Sequence, residues 1–259
     1  MEQQPLEQVE ALALKKLALW NRNIFHFLLR SMLASAFIGF GVLVAFATGN
    51  PFDVIQSPAA GPLAAIAFGS AIILIAYAGG DLFTGNTFYF TFASLRGKTS
   101  WGDAVKVWIT SYLGNLIGAV LFAALLWASG LFKEPYTNPM LIHLVEKKMH
   151  VSTFELFFRA IMCNWLVCMA FFIPMCLKGD GVKMFAMILF VYCFFIAGLE
   201  HCIANLSSFS IVLMMDHPDT ISIGGAVHNL IPVTIGNMIG GGIFMGVVYH
   251  VLNPNSESQ

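Results

Sequence analysis

The sequence predicts an all-α membrane protein of six transmembrane helices, arranged as an inverted repeat in which the second and fifth helices are broken. Three observations predict it. Of 259 residues, 58% are apolar and only 10% charged, with a mean hydropathy of +0.78, whereas an ordinary soluble domain is about 25% charged. Uncharged apolar runs recur at the length of about 20 residues that crosses a hydrocarbon core of about 30 Å. Short polar motifs inside the first half of the chain return in the second half in the same order.

The elements follow in order. A polar, helix-favouring stretch from Glu7 to Leu17 lies within residues 1–23. It is far longer than the n-region of a secretory signal and no small-residue cleavage site follows, so no removal is expected. Apolar stretches then fall at about 24–48, 62–95, 104–129, 155–177, 184–215 and 227–251. They give one transmembrane domain over 1–259, with a first three-helix half at 24–129, a second at 155–251 and a tail at 252–259. Turn chemistry separates them at Gly49-Asn50-Pro51, Arg96-Gly97-Lys98, Lys178-Gly179-Asp180-Gly181 and Asp216-His217-Pro218-Asp219. The longest connection, about 130–154, is expected to carry a short amphipathic helix near Leu141 to Lys148.

Charge sets the orientation. Lys15, Lys16, Arg22, Arg96, Lys98, Lys106, Lys178 and Lys183 flank one side, while the loops near 49–61 and 216–226 have no Lys or Arg. The positive-inside rule then places both termini in the cytoplasm and the chain in the cell membrane. Lys133, Lys147 and Lys148 are exceptions, three cations on the side that this topology leaves bare. The net charge of −1 offers no basic surface for nucleic acid. Cys163, Cys168, Cys176, Cys193 and Cys202 lie within or at the ends of apolar spans without CxxC or Cys/His ligand spacing. They read as packing residues, with no disulfide framework, metal or cofactor expected.

The second and fifth stretches are too long for one crossing. As straight helices they would run about 50 Å and 48 Å at about 1.5 Å per residue, yet neither can supply two full spans. Each carries glycine, a carboxylate and asparagine near its middle: Ala78-Gly79-Gly80-Asp81-Leu82-Phe83-Thr84-Gly85-Asn86 and Ala197-Gly198-Leu199-Glu200-His201-Cys202-Ile203-Ala204-Asn205. Non-helical backbone at membrane depth survives only when buried in protein or lining a wet cavity. The repetition extends to Arg30 and Arg159, each opening an apolar run, and to G-N-x-I-G at Gly114 to Gly118 and Gly236 to Gly240. Three spans per half is an odd number, so the second copy enters from the opposite face and the two breaks meet near the midplane.

Such breaks have a chemical consequence. Each frees N–H groups at the positive end of a half-helix, and two such ends facing one another favour a small anion. Asn86 and Asn205 are expected to cap the helix starts, with Asp81 and Glu200 supporting the breaks as first-turn acids. His201 alone among seven histidines is expected in the interior of a span. It can donate a hydrogen bond to an anion or hand it a proton. Thr84 is the nearest polar partner available from the other break. Phe83, Phe194 and Phe195 sit around the breaks, where they either narrow a path or simply pack. The G-x-x-x-G pairs read as close helix packing.

The sequence resembles the formate/nitrite transporter family, and within it the Bacillus-type members, over nearly the whole chain. The motifs that carry the resemblance are G-G-D-L-F-T-G-N at Gly79 to Asn86, G-L-E-H-C-I-A-N at Gly198 to Asn205, C-N-W-L-V-C at Cys163 to Cys168 and N-L-I-P-V-T-I-G-N at Asn229 to Asn237. The resemblance implies a homopentamer of aquaporin-like protomers that passes small monovalent weak-acid anions. Formate leads, with nitrite, hydrosulfide and lactate as alternatives. It implies that His201 is the central histidine, Thr84 its hydrogen-bonding partner, Lys148 an outer-vestibule cation that attracts anions, and Asn164 part of the path. By spacing, Ile72 and Leu82 on one side and Phe194 on the other resemble the apolar constrictions. Ile72 stands where relatives often have leucine, and Leu199 precedes Glu200 where phenylalanine is common, so constriction width and substrate choice are affected.

Other classes fit poorly. Glu200-His201 has the wrong order for a zinc protease and no second histidine four residues away. A diheme protein needs paired axial histidines, and His201 stands alone. A neutral-solute pore of the aquaporin or ammonium type shares the architecture, but NPA triplets and a central histidine pair are missing.

Overall fold

A computed structural model describes residues 3–132 and 137–254. Lys133, one of the three exceptional cations, lies outside the described residues. All regular structure among them is helical: α1 Gln3–Arg22, α2 Ile24–Val54, α3 Ala60–Phe68, α4 Ser70–Ala78, α5 Phe83–Leu95, α6 Trp101–Ser129, α7 Pro139–Met149, α8 Thr153–Cys176, α9 Asp180–Ile196, α10 Cys202–Leu213 and α11 Ile223–Ile239. α11 continues through a π-wound segment, Gly240–Val247, into α12, Val248–Leu252.

Local chemistry sets the helix starts. The side chains of Asn23, Asn138, Ser152 and Ser222 accept a first-turn N–H, and Ser100 with Asp103 forms a reciprocal capping box at α6. Among the described residues, five stretches are long and apolar enough to cross a bilayer: Ile24–Val54, Ala60–Ala78, Trp101–Ala128, Thr153–Cys176 and Ile223–Leu252. The region in which the sequence predicts a fifth span holds two shorter helices, α9 and α10. The predicted second span likewise divides into α3 with α4, then α5.

Glycine determines which helices touch. A Cβ on Gly118 of α6 would lie 2.2 Å from the Met32 carbonyl oxygen of α2, and one on Gly240 would lie 2.3 Å from the Ile161 carbonyl oxygen of α8. Backbone therefore meets backbone at two equivalent places, α6 on α2 and α11 on α8, as the two G-x-x-x-G pairs suggest. The amphipathic helix expected near Leu141 to Lys148 is α7; it buries Leu141, Ile142, Val145 and Met149 in the main core. α1 buries Leu6, Val9 and Ala13 in a second cluster with Phe88 and Phe92 of α5. Each half is thus preceded by an amphipathic helix lying against one of the interrupted segments.

Candidate functional site

Helical winding stops at Ala78 because Gly79 adopts the left-handed conformation (φ +85°), with the Gly80 N–H returning to the Ile75 carbonyl at 3.0 Å. Glycine tolerates this conformation without steric cost. α5 then starts at Phe83 after an extended Leu82 that supplies no side-chain cap. Asn115 of α6 replaces the cap: its Oδ1 accepts the Phe83 N–H at 3.0 Å, while its Nδ2 donates to Ser31 O at 2.6 Å and Asp81 O at 3.0 Å. Asp81 itself receives Asn86 Nδ2 at 2.6 Å and Lys16 Nζ at 3.1 Å, and Lys16 also donates to Asn86 Oδ1 at 2.7 Å.

The second interruption repeats this arrangement. Gly198 is left-handed (φ +66°), and the Leu199 N–H returns to Phe194 O at 3.0 Å. Asn237 Oδ1 accepts the Cys202 N–H at 2.8 Å, and its Nδ2 donates to Ala160 O at 2.8 Å and Glu200 O at 2.9 Å. Glu200 receives Asn205 Nδ2 at 2.6 Å and Lys148 Nζ at 2.9 Å.

These contacts correct the capping role expected of two asparagines. Asn86 and Asn205 do not cap the helix starts; their amides hold the carboxylates of Asp81 and Glu200. His201, expected at the break of the fifth span, is the N-cap of α10, its Nδ1 accepting the Ala204 N–H at 3.0 Å. Lys148, expected as an anion-attracting cation, has its charge engaged by Glu200, with only 15% of its side chain exposed.

The two starts meet at one contact. Thr84 Oγ1 lies 3.0 Å from His201 Nε2, and both residues are buried. Because Nδ1 accepts from Ala204, the neutral ring carries its proton on Nε2 and donates it to the threonine oxygen. The Phe194 ring stacks on the imidazole at 6.0 Å. A cavity of about 30 Å³ opens against the ring, with Ile72, Leu82 and Phe194 among its otherwise apolar walls. Beneath α1 lies a vestibule of about 1040 Å³ that includes Lys15, Lys16, Arg30, Asp81 and Lys183. Ile75 and Leu82 line both spaces and form the partition between them.

Other predicted site residues stand apart from the small cavity. Phe83 packs edge-on against Tyr112 at 5.1 Å, and Phe195 packs on Phe68 at 5.4 Å. Asn164 is fully buried, its Nδ2 donating to Asn237 O at 2.6 Å, Thr87 Oγ1 at 3.0 Å and Thr84 O at 3.3 Å. It therefore ties the α5 start to the asparagine that holds the α10 start.

The family model for the formate/nitrite transporter matches residues 3–251. The chain belongs to the formate/nitrite transporter family. It is 57% identical over 255 residues to the uncharacterized transporter YwcJ of Bacillus subtilis (strain 168), covering 98% of this chain and all of that one. It superposes on a solved FNT family ion channel with a TM-score of 0.90 at 30% identity, covering 96% and 99% of the two chains. A solved pentameric formate channel with formate bound gives a TM-score of 0.74 at 27% identity over 88% and 97%. The chain is a membrane protein whose relatives are transporters and channels rather than enzymes.

Within this formate/nitrite transporter fold, Lys16, Asn115 and Asn237 escaped the sequence reading. Lys16 counted as a topology marker and the two asparagines as parts of glycine packing motifs. The repeat itself held the signal, since Lys16 precedes the first interruption much as Lys148 precedes the second, and each G-N-x-I-G motif has its asparagine at the same place.

Proposed function

We propose that the chain is a homopentameric channel whose protomers each pass small monovalent anions of weak acids, formate foremost. In this reading each protomer crosses the membrane six times as one domain, 1–259. The crossings interrupted at 79–82 and 197–201 are opposed, and both termini lie in the cytoplasm. The single observation that carries the reading is the buried Thr84–His201 contact of 3.0 Å between two helix starts, beside a cavity with apolar walls. Among the described residues lining that cavity, His201 alone has a polar side chain, and an anion can accept its Nε2–H in place of Thr84 Oγ1.

Size favours formate and nitrite over lactate. One water requires about 10–15 Å³ measured as probe-occupied volume, so a space of about 30 Å³ suits a solute of two or three heavy atoms. Ile72, Leu82 and Phe194 form the constrictions, where a bare charge is costly and its neutral acid is not. His201 links passage to protonation because a second proton must enter at Nδ1, where the Ala204 N–H is now accepted. Charging the ring therefore costs the α10 cap, worth about 0.5–2 kcal/mol. Asp81, Asn86, Glu200 and Asn205, with Lys16 and Lys148, hold the two helix starts in position, and Asn164 braces the path from behind.

The test is uptake of labelled formate, nitrite, hydrosulfide and lactate into proteoliposomes at two pH values. His201→Phe should lower acid-stimulated formate uptake about 10- to 100-fold, as expected for a lost hydrogen bond to a charged group worth about 1.5–3 kcal/mol. Unchanged uptake in that variant would remove the histidine from the mechanism.

A further inference from the structure

The two arginines that open the repeats occupy different surroundings. Arg159 donates Nη2 to Glu155 Oε1 at 3.1 Å, and its charge is countered there. Arg30 is exposed, and among the described residues no ion pair engages it. Its side chain lines the 1040 Å³ vestibule together with Gly79, Gly80, Asp81 and Leu82. The carboxylates of that space are already engaged: Asp81 holds Lys16 and Asn86, and Asp180 accepts the Tyr77 hydroxyl at 3.2 Å.

Arg30 is also built into the first interruption. Its carbonyl accepts the Asp81 N–H at 2.9 Å. Its Nη2 lies 3.3 Å from the point that a Cβ on Gly79 would occupy, so the guanidinium rests against bare backbone. Leu82, which closes the small cavity at His201, is one residue beyond Asp81. Lys15, Arg22 and Lys183 line the same vestibule but belong to α1, or to the first turns of α9, rather than to the helix paired with this interruption.

Resting on the channel reading above, we infer that Arg30 is the residue on which an anion docks before it passes Leu82, and that it selects planar two-oxygen anions. A guanidinium presents two parallel N–H groups that match the paired oxygens of formate or nitrite, whereas a single-atom anion such as hydrosulfide uses only the charge. Among the described residues the counterpart of Arg30 in the second half, Arg159, is instead spent on Glu155. Arg30 thus supplies specificity at one face of a pore whose centre is nearly symmetric.

Formate and hydrosulfide fluxes into inside-out and right-side-out vesicles, at equal pH on both faces, test this. Arg30→Gln should raise KM for formate on the vestibule side about fivefold at unchanged maximal rate, the factor one unit charge about 4 Å away gives in water-like surroundings. A passive path has one permeability, so entry from the opposite face should lose maximal rate and keep its KM. The contrast with the parent should shrink between about 0.01 M and 1 M salt. Arg30→Lys should keep most of the affinity and lose the preference for formate over hydrosulfide. Because the carbonyl that holds Asp81 is unchanged in both variants, the fold is preserved. An unchanged KM in Arg30→Gln, with formate flux still dependent on His201, would overturn this inference and leave the channel reading intact. Absence of formate flux in the parent protein would instead overturn the channel reading.

Discussion

Lys148→Ala separates a structural cation from a surface one. Lys148 Nζ stands 2.9 Å from Glu200 Oε2, with the glutamate side chain only 2% exposed and the lysine 15%. Removing the lysine leaves a buried carboxylate with Asn205 Nδ2 at 2.6 Å and Asn229 Nδ2 at 3.4 Å as its remaining side-chain donors. Taking away one partner of a buried pair costs about 3–5 kcal/mol. The partial exposure of Lys148 places this case near the lower end, at about 3 kcal/mol. At about 2–4 °C per kcal/mol for a chain of this size, the thermal midpoint in detergent should fall by about 10 °C. A double-mutant cycle with Glu200→Gln should recover about 2 kcal/mol, because the neutral amide no longer needs the ammonium. Formate flux should fall with stability and depend little on salt. A midpoint within a degree of the parent, with a small salt-screened loss of flux, would show that Lys148 is a solvated cation at the mouth and that Glu200 is satisfied without it.

Two more perturbations follow from the same geometry. Leu82→Ala joins the vestibule to the cavity at His201, and lactate flux relative to formate should rise by about tenfold or more, the discrimination that one methylene can provide in an apolar pocket; an unchanged ratio in liposomes would place the size limit elsewhere. Asn237→Leu leaves the Cys202 N–H and the carbonyls of Ala160 and Glu200 without their side-chain partner. It should lower stability by about 3 kcal/mol and abolish flux, whereas Asn237→Asp retains the acceptor for Cys202 and should lose less, as thermal unfolding will register.

The positions at which helical winding stops were legible in the sequence, because Gly79 and Gly198 stand beside a carboxylate in otherwise apolar stretches where little else can turn a helix aside. Close packing at the glycine rows of α6 and α11 was legible too, since only a glycine row allows backbone contact at that distance, but the partners α2 and α8 were not. Family membership could be read from contiguous motifs. The partners of Asp81 and Glu200 could not. Lys16 and Asp81 are separated by 65 residues, and a lysine near a helix end looks the same in sequence whether it faces water or reaches a buried acid.

The sequence by itself determined that this is a membrane protein, where its backbone must leave the helix and which short motifs repeat, because these depend on local composition and on the span a bilayer demands. Tertiary structure decided what each polar group holds. Asn115 and Asn237 cap helices to which they do not belong, Lys16 and Lys148 reach the carboxylates before those helices, and Arg159 pairs with Glu155 while Arg30, among the described residues, has no ion-pair partner. A buried hydrogen-bond donor takes whichever acceptor the fold brings within about 3 Å, and residues far apart in the chain carry no local mark of that meeting.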